Sequence, residues 1–227
     1  MSFALLTYPL DIIKTNRILQ TSLSKEGAES IPREFQALYE KGGLNRGLFR
    51  GLVVGYLAAT LQGSVNDVQS GSIGAFALSI ISNPFSILQV HKQAFHNSQT
   101  KTYSQIVSEV GFTRMFTLGL IPSIARNILV CTGFIPSFIG QTSAPITVGY
   151  ALGGILLSHP FEVARVIIQH NGAKSGMFGD SLKIMRNLYA TEGIAGLYRG
   201  AVPRTIHLLP TIVTLTSLQR AFRTADE

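Results

Sequence analysis

Glu162 and Arg165 stand three residues apart in a run, Ser158-His159-Pro160-Phe161-Glu162-Val163-Ala164-Arg165, that stays mostly apolar up to Gln169. That spacing places an acid and a base on one face of a helix. Among apolar side chains each of them needs a partner, so the chemistry on offer is ion pairing across an interior. Pro160, just ahead of them, removes a backbone donor and bends the helix that carries them.

The pattern occurs twice more. Pro9, Asp11 and Lys14 repeat it with both charges, and Pro84, Ser86 and Gln89 repeat it with neutral polar groups in both charged places. The three prolines are 75 and 76 residues apart. After each comes a long polar segment and a restart marked by glycine: Phe49-Arg50-Gly51, Thr117-Leu118-Gly119 and Tyr198-Arg199-Gly200. This is a threefold internal repeat of one helical hairpin.

Three proline motifs in register, two of them complete as Pro-x-acid-x-x-base and one with neutral Ser86 and Gln89 in the charged places, with aromatic-base-glycine after two of them, resemble the mitochondrial carrier family over essentially the whole chain. The resemblance implies an all-α membrane protein, a six-helix bundle around a central cavity, with a short surface helix on the matrix side of each repeat. It implies a single carrier domain over 1–227, with repeats of about 1–66, 67–143 and 144–227. It places the chain in the mitochondrial inner membrane as a multi-pass protein whose long loops face the matrix.

Composition agrees independently. Charged residues make up 14% and mean hydropathy is +0.29, against roughly 25% charged in an average soluble domain. The net charge of +7 is distributed unevenly. Most Lys and Arg lie in 20–50, 91–114 and 170–199, whereas 64–72 and 139–147 hold none. That asymmetry is the one the positive-inside rule describes, and no basic stripe interleaved with aromatics points to nucleic acid. The lone Cys131 excludes a disulfide framework and reads as a small buried hydrophobe. The five histidines show no ligand spacing, and neither a nucleophile triad nor a phosphate loop is present, so no cofactor, metal or enzyme activity is expected.

The spans expected are Ser2 to Gln20, Gly51 to Gln69, Gly71 to Val90, Gly119 to Phe138, Ile146 to Ile168 and Ala201 to Phe222, with surface helices at Pro32 to Lys41, Tyr103 to Val110 and Asp180 to Thr191. In the first surface helix Phe35, Leu38 and Tyr39 share a face, and Gly193 caps the last. Only eight residues precede Pro9, so the first span is expected to be truncated, a bilayer core needing about twenty. It lacks the basic start and cleavage site of a secretory signal, and no Arg-rich transit peptide precedes it.

By the family's cyclic pairing, the matrix-side gate comprises Asp11, Lys14, Glu162 and Arg165, braced by Gln93 and Gln169. Glu162 with Lys14 is then the one complete ion pair, Asp11 meets Gln89, and Arg165 meets Ser86. These charges serve either as a working gate or as a staple between helices. The cytosolic-side gate falls on Ser70-Gly71, Phe138-Ile139 and Gln219-Arg220, with Arg223 its matching base and no acid to pair with it. The substrate contact positions are Ala58 with Ala59, Arg126 with Asn127, and His207 with Leu208. Arg126 and Asn127 could hold a carboxylate or phosphate, with His207 adding a hydrogen bond; alternatively Arg126 meets a carbonyl or a lipid headgroup. Arg50 with Gly51, and Arg199 with Gly200, begin helices and imply sites for cardiolipin phosphates, while Thr117-Leu118 has lost the aromatic and the base.

Two functions compete. One is transport of a small anionic metabolite by alternating access, with Arg126 and His207 as ligands. The other is a transport-inactive carrier fold serving as an accessory subunit of a larger inner-membrane assembly such as a respiratory complex. The incomplete gates and the short first helix favour the second.

Overall fold

The computed structural model describes residues 2–20, 30–55, 57, 71–94, 101–139, 144–172 and 178–210. Helix α1 spans Ser2–Leu19, α2 Ile31–Gly42, α3 Gly71–Gln93, α4 Tyr103–Val110, α5 Arg114–Thr117, α6 Leu120–Ile139, α7 Ala144–Asn171 and α8 Phe178–Leu197. Residues 52–55 and 201–210 are also helical. No strand occurs among the described residues. Within α7 the segment Val148–Asn171 is long and apolar enough to cross a membrane.

Each repeat proline lies inside its helix: Pro9 in α1, Pro84 in α3, Pro160 in α7. These three helices converge, and their common core is Ile18 of α1, Val90 of α3, and Val163 and Val166 of α7. A second cluster packs Ile12, Ile13 and Tyr8 of α1 on Leu38 of α2. A third joins Ile87 of α3 and Ile168 of α7 to Ile106 and Val110 of α4. Burying Leu38 or Ile106 completely contributes about 1.5–3 kcal/mol each, which holds the short amphipathic helices α2 and α4 against the ends of the long ones. Away from these clusters Phe76, Ile81, Ile128, Ile146, Leu157 and Val202 are exposed, an exterior suited to lipid.

Local signals set the short elements. Thr102 accepts from the Gln105 amide while the Gln105 side chain accepts from the Thr102 amide, a complete capping box at the start of α4. In α2, Pro32 occupies the first turn. Of the three residues expected to share a face, Leu38 is buried and Tyr39 is 56% exposed, and Glu34 is buried as well. The reason is Arg17 at the end of α1, whose Nε donates to both Glu34 oxygens at 3.1 and 3.0 Å. Burial pushes the Glu34 carboxyl up, and Arg17 pulls it back. Between α2 and the first restart, Gly43–Leu48 forms a π-helical turn that the sequence reading did not foresee.

The last surface helix begins at Phe178, earlier than Asp180, and breaks at Gly193, where φ is 66°. Ala58 and Ala59 lie outside the described residues, as do Ser70, Gln219, Arg220 and Arg223 and the side chains of Cys131, Phe138 and Ile139.

Candidate functional site

Asp11 and Lys14, one helical turn apart on α1, are both buried at 7% exposure. Lys14 Nζ donates to Asp11 Oδ1 at 2.6 Å and, across to α7, to Glu162 Oε1 at 2.9 Å. The expected Lys14–Glu162 pair is therefore present. So is the meeting of Asp11 with Gln89, whose Nε2 donates to Asp11 Oδ2 at 2.7 Å. Gln93, one turn further along α3, donates to the same oxygen at 2.7 Å and accepts from Thr15 at 2.7 Å. Two neutral amides thus do for Asp11 what one lysine would.

Arg165 departs from expectation. It does not reach to Ser86; it folds back onto its own helix, donating to Glu162 through Nε at 2.9 Å and Nη2 at 2.8 Å. Ser86 offers no charge, and a guanidinium in a desolvated place goes to the nearest carboxylate. Arg165 Nη1 also meets Gln169 Oε1 at 3.4 Å, and Gln169 crosses to Asn83 of α3 at 3.0 Å.

Arg126, the candidate anion ligand on α6, joins the same cluster, an arrangement the sequence reading missed. Its Nη1 donates to Glu162 Oε2 at 3.1 Å. Its Nε and Nη2 both donate to Asn127 Oδ1, at 3.0 and 2.6 Å, and Asn127 in turn donates to Ser79 of α3 at 2.8 Å. Glu162 therefore serves three cations, Lys14, Arg165 and Arg126, while it is itself 1% exposed. From Ser79 through Asn127, Arg126, Glu162, Lys14, Asp11 and Gln89 the bonds close a ring over α3, α6, α7 and α1. Such a network, each polar group supplied with a partner, is how charge is held in a dry interior.

His207 is not brought to Arg126; its Nδ1 donates to the Thr7 carbonyl of α1 at 2.9 Å. Arg204, three residues before it, clamps the 201–210 helix to α7 through Ser158 Oγ at 3.0 Å and His159 Nδ1 at 3.2 Å. With Nδ1 accepting from Arg204, the proton of His159 sits on Nε2, which donates to the Arg199 carbonyl at 2.8 Å. Of the residues expected to hold lipid phosphate, Arg50 is 8% exposed and Arg199 pairs with Glu192. Gly51 and Gly200 take φ of 77° and 75°.

Comparison with known proteins finds carriers among the relatives of this chain. A mitochondrial 2-oxodicarboxylate carrier of Mus musculus is 25% identical over 251 aligned residues, 90% of this chain and 84% of the relative. The mitochondrial 2-oxodicarboxylate carrier 1 of Saccharomyces cerevisiae is 27% identical over 70% of this chain and 56% of its own length. An adenine nucleotide transporter of Arabidopsis thaliana, BT1, chloroplastic/mitochondrial, is 27% identical over 70% of this chain and 46% of its own. The sequence matches the family described as "Mitochondrial carrier protein" over 1–66 and 141–223; the stretch left unmatched contains Ser86, Gln89 and Thr117-Leu118, where both motifs are altered. With that match over more than half its length, the chain belongs to the mitochondrial carrier family.

Proposed function

We propose that this chain carries small carboxylate anions across the mitochondrial inner membrane by alternating access, as a multi-pass protein of three repeats whose long loops face the matrix. It is a carrier-family protein and not an enzyme. The observation that carries the reading is Arg126: a guanidinium aimed by Asn127, part-buried, and in contact with the charges that join α1 to α7. A cation in an apolar interior, oriented by a neighbouring amide, is a site for an anion. The names of the relatives, 2-oxodicarboxylate carriers among them, support a carboxylate. In this reading Asp11, Lys14, Glu162, Arg165, Gln93 and Gln169 form the gate on the long-loop side, and the restart segments at Arg50-Gly51 and Arg199-Gly200 lie against cardiolipin.

The test is exchange in liposomes. Purified protein reconstituted with internal 2-oxoglutarate takes up labelled 2-oxoglutarate faster than protein-free vesicles, and Arg126→Ala removes the uptake. Uptake no faster than the blank across 2-oxoglutarate, other dicarboxylates and nucleotides rejects transport.

A second reading is favoured by Ser86 and Gln89, which leave Lys14–Glu162 as the ion pair joining the proline-bent helices among the described residues. On it, the fold is a non-transporting accessory subunit of a larger inner-membrane complex. Native electrophoresis after mild digitonin solubilisation separates the two: salt-resistant comigration with a large assembly favours the subunit, and a band near 24.6 kDa plus detergent favours the carrier.

A further inference from the structure

The ends of α3 and α7 meet through two histidines that the site above does not use. His91, in the last turn of α3, and His170, in the last turn of α7, stand with ring centroids 5.5 Å apart and ring planes inclined by 27°. No spacing in the sequence relates them, because they lie in two different repeats. Both residues are half-buried, so solvent reaches the pair.

The hydrogen bonds of the two rings fix their tautomers. His91 bonds to the backbone of Gln169, while its Nε2 is buried and has no hydrogen-bond partner among the described residues. The nitrogen that donates to the Gln169 carbonyl is therefore Nδ1, and Nε2 carries an unused lone pair. In His170, Nδ1 lies 3.0 Å from Asn171 Oδ1, which accepts, so the proton is again on Nδ1 and the lone pair on Nε2. A buried nitrogen without a partner calls for a physical reason. An imidazole whose one N–H is pinned by an oxygen, leaving the other nitrogen as a lone pair, is prepared to ligate a metal ion: the outer bond sets tautomer and orientation. The separation suits this too. With Zn–N of about 2.0–2.1 Å and tetrahedral angles, two ligating rings have their centroids about 5–5.5 Å apart. Lys101 is the cation that faces His91 from the start of α4, and it is paired with Glu109. No third His, Cys, Asp or Glu completes a cluster among the described residues, so the remaining ligand positions fall to water.

The two helix ends lack another tie of this strength. Lys14–Glu162 joins α1 to α7, but Ser86 and Gln89 are neutral, and among the described residues no ion pair joins α3 to α7. We infer that His91 and His170 together bind a divalent transition cation of the zinc type, which bridges the end of α3 to the end of α7 where the second repeat has lost its charges.

The experiment titrates Zn2+ into the full chain in detergent, free of any histidine tag, by calorimetry, with Mg2+ as the control that prefers oxygen ligands. The wild type takes up one Zn2+ at this site; His91→Ala and His170→Ala each weaken it at least about tenfold, and Mg2+ does not bind there. At a hundredfold excess over its dissociation constant, Zn2+ raises the melting temperature of the wild type by about 5–10 °C. Should His91→Ala fail to fold, His170→Gln serves, with a shift below about 2 °C, and electron paramagnetic resonance of bound Cu2+ in the wild type reads the two coordinating nitrogens without any variant. Zinc affinity unchanged in either histidine variant, an equal thermal shift in His170→Gln, Mg2+ bound as tightly as Zn2+, or fewer than two nitrogens on Cu2+ overturns the inference. None of these readings uses transport, so the bridge stands or falls apart from the carrier reading.

Discussion

His159 Nε2 lies 2.8 Å from the carbonyl oxygen of Arg199. His159 precedes the kink proline of the third repeat, and Arg199 precedes its restart glycine. The first repeat makes the same bond with Tyr8, whose hydroxyl donates to Arg50 O at 3.1 Å, and the second with Asn83, whose Nδ2 donates to Leu118 O at 2.9 Å. Three residue types thus perform one task, tying the bend of each proline-bearing helix to the start of the helix that follows. Asn83 does more than the others: it also donates to Met115 O at 2.9 Å and accepts from Gln169 at 3.0 Å. Asn83→Ala therefore strands several buried groups and costs about 2–4 kcal/mol, whereas Tyr8→Phe costs about 1 kcal/mol. Thermal unfolding in detergent, at about 2–4 °C per kcal/mol for a chain of this size, ranks them; a Tyr8→Phe loss equal to that of Asn83→Ala contradicts the assignment.

Each restart glycine also touches the next repeat. A Cβ on Gly200 would stand 2.9 Å from Lys14 O, on Gly119 3.6 Å from Arg165 O, and on Gly51 3.9 Å from Gln89 O. Lys14, Arg165 and Gln89 all occupy the base position of the repeat motif. Gly200 has φ of 75° as well, so alanine there suffers both a left-handed backbone and a backbone clash. Gly172, with φ of 59° and open space around it, suffers only the first. Gly172→Ala should lower stability by about 1–2 kcal/mol and Gly200→Ala by clearly more; equal melting temperatures for the two variants would count against close packing at Lys14.

How much of this could be read from the chain differs from place to place. The prolines and restart glycines recur at a fixed period, so the repeat was visible in the residues themselves, and the bundle came with the family it resembles. Tyr103–Val110 came out as expected because its capping box is local. Glu162–Lys14 followed from the family resemblance, whose cyclic pairing says which helix faces which. Arg126 with Glu162 did not, because that contact joins a base outside the motif to an acid within it, and no periodicity relates them. The turn of Arg165 onto its own helix was hidden for a similar reason: pairing by symmetry assumes a partner, and Ser86 is not one. The bonds of Tyr8, Asn83 and His159 were present in the alignment of the three repeats, one place before each proline, but their unlike side chains concealed a shared role. Helical spacing grouped Tyr39 with Leu38 but could not show that Glu34 would be buried, because its partner Arg17 lies on another helix.

Partners on the same helix make an asymmetry measurable. Lys14→Met leaves Glu162 with Arg165 and Arg126, and leaves Asp11 with Gln89 and Gln93. Its cost should stay below about 3 kcal/mol. Glu162→Ala leaves Lys14 with Asp11 alone and the two arginines without a carboxylate, which places it at about 3–5 kcal/mol, the range for an orphaned buried charge. Melting temperatures of the two variants in the same detergent decide it, and a Lys14→Met loss as large as that of Glu162→Ala would mean that the bonds within each helix do not take over.

Restoring what the second repeat has lost tests whether the cluster moves. Gln89→Lys sets a second ammonium beside Asp11, where the amide now sits at 2.7 Å. Ser86→Asp puts a carboxylate at the place Arg165 reaches in a complete network, drawing the guanidinium across from α7 to α3. The double variant ties α3 to both α1 and α7 by charge. If these contacts form only in the closed state, they stabilise it by about 1 kcal/mol or more, the upper end for an exposed pair and modest for a buried one. Melting temperature then rises by about 2–4 °C, and exchange in liposomes slows by roughly fivefold or more, since energy added to the closed state adds to the barrier to opening. Higher stability with unchanged exchange would show that opening here is not rate-limiting. A rise in stability together with no exchange in either protein points to a static bundle, in which a stronger junction has nothing to slow.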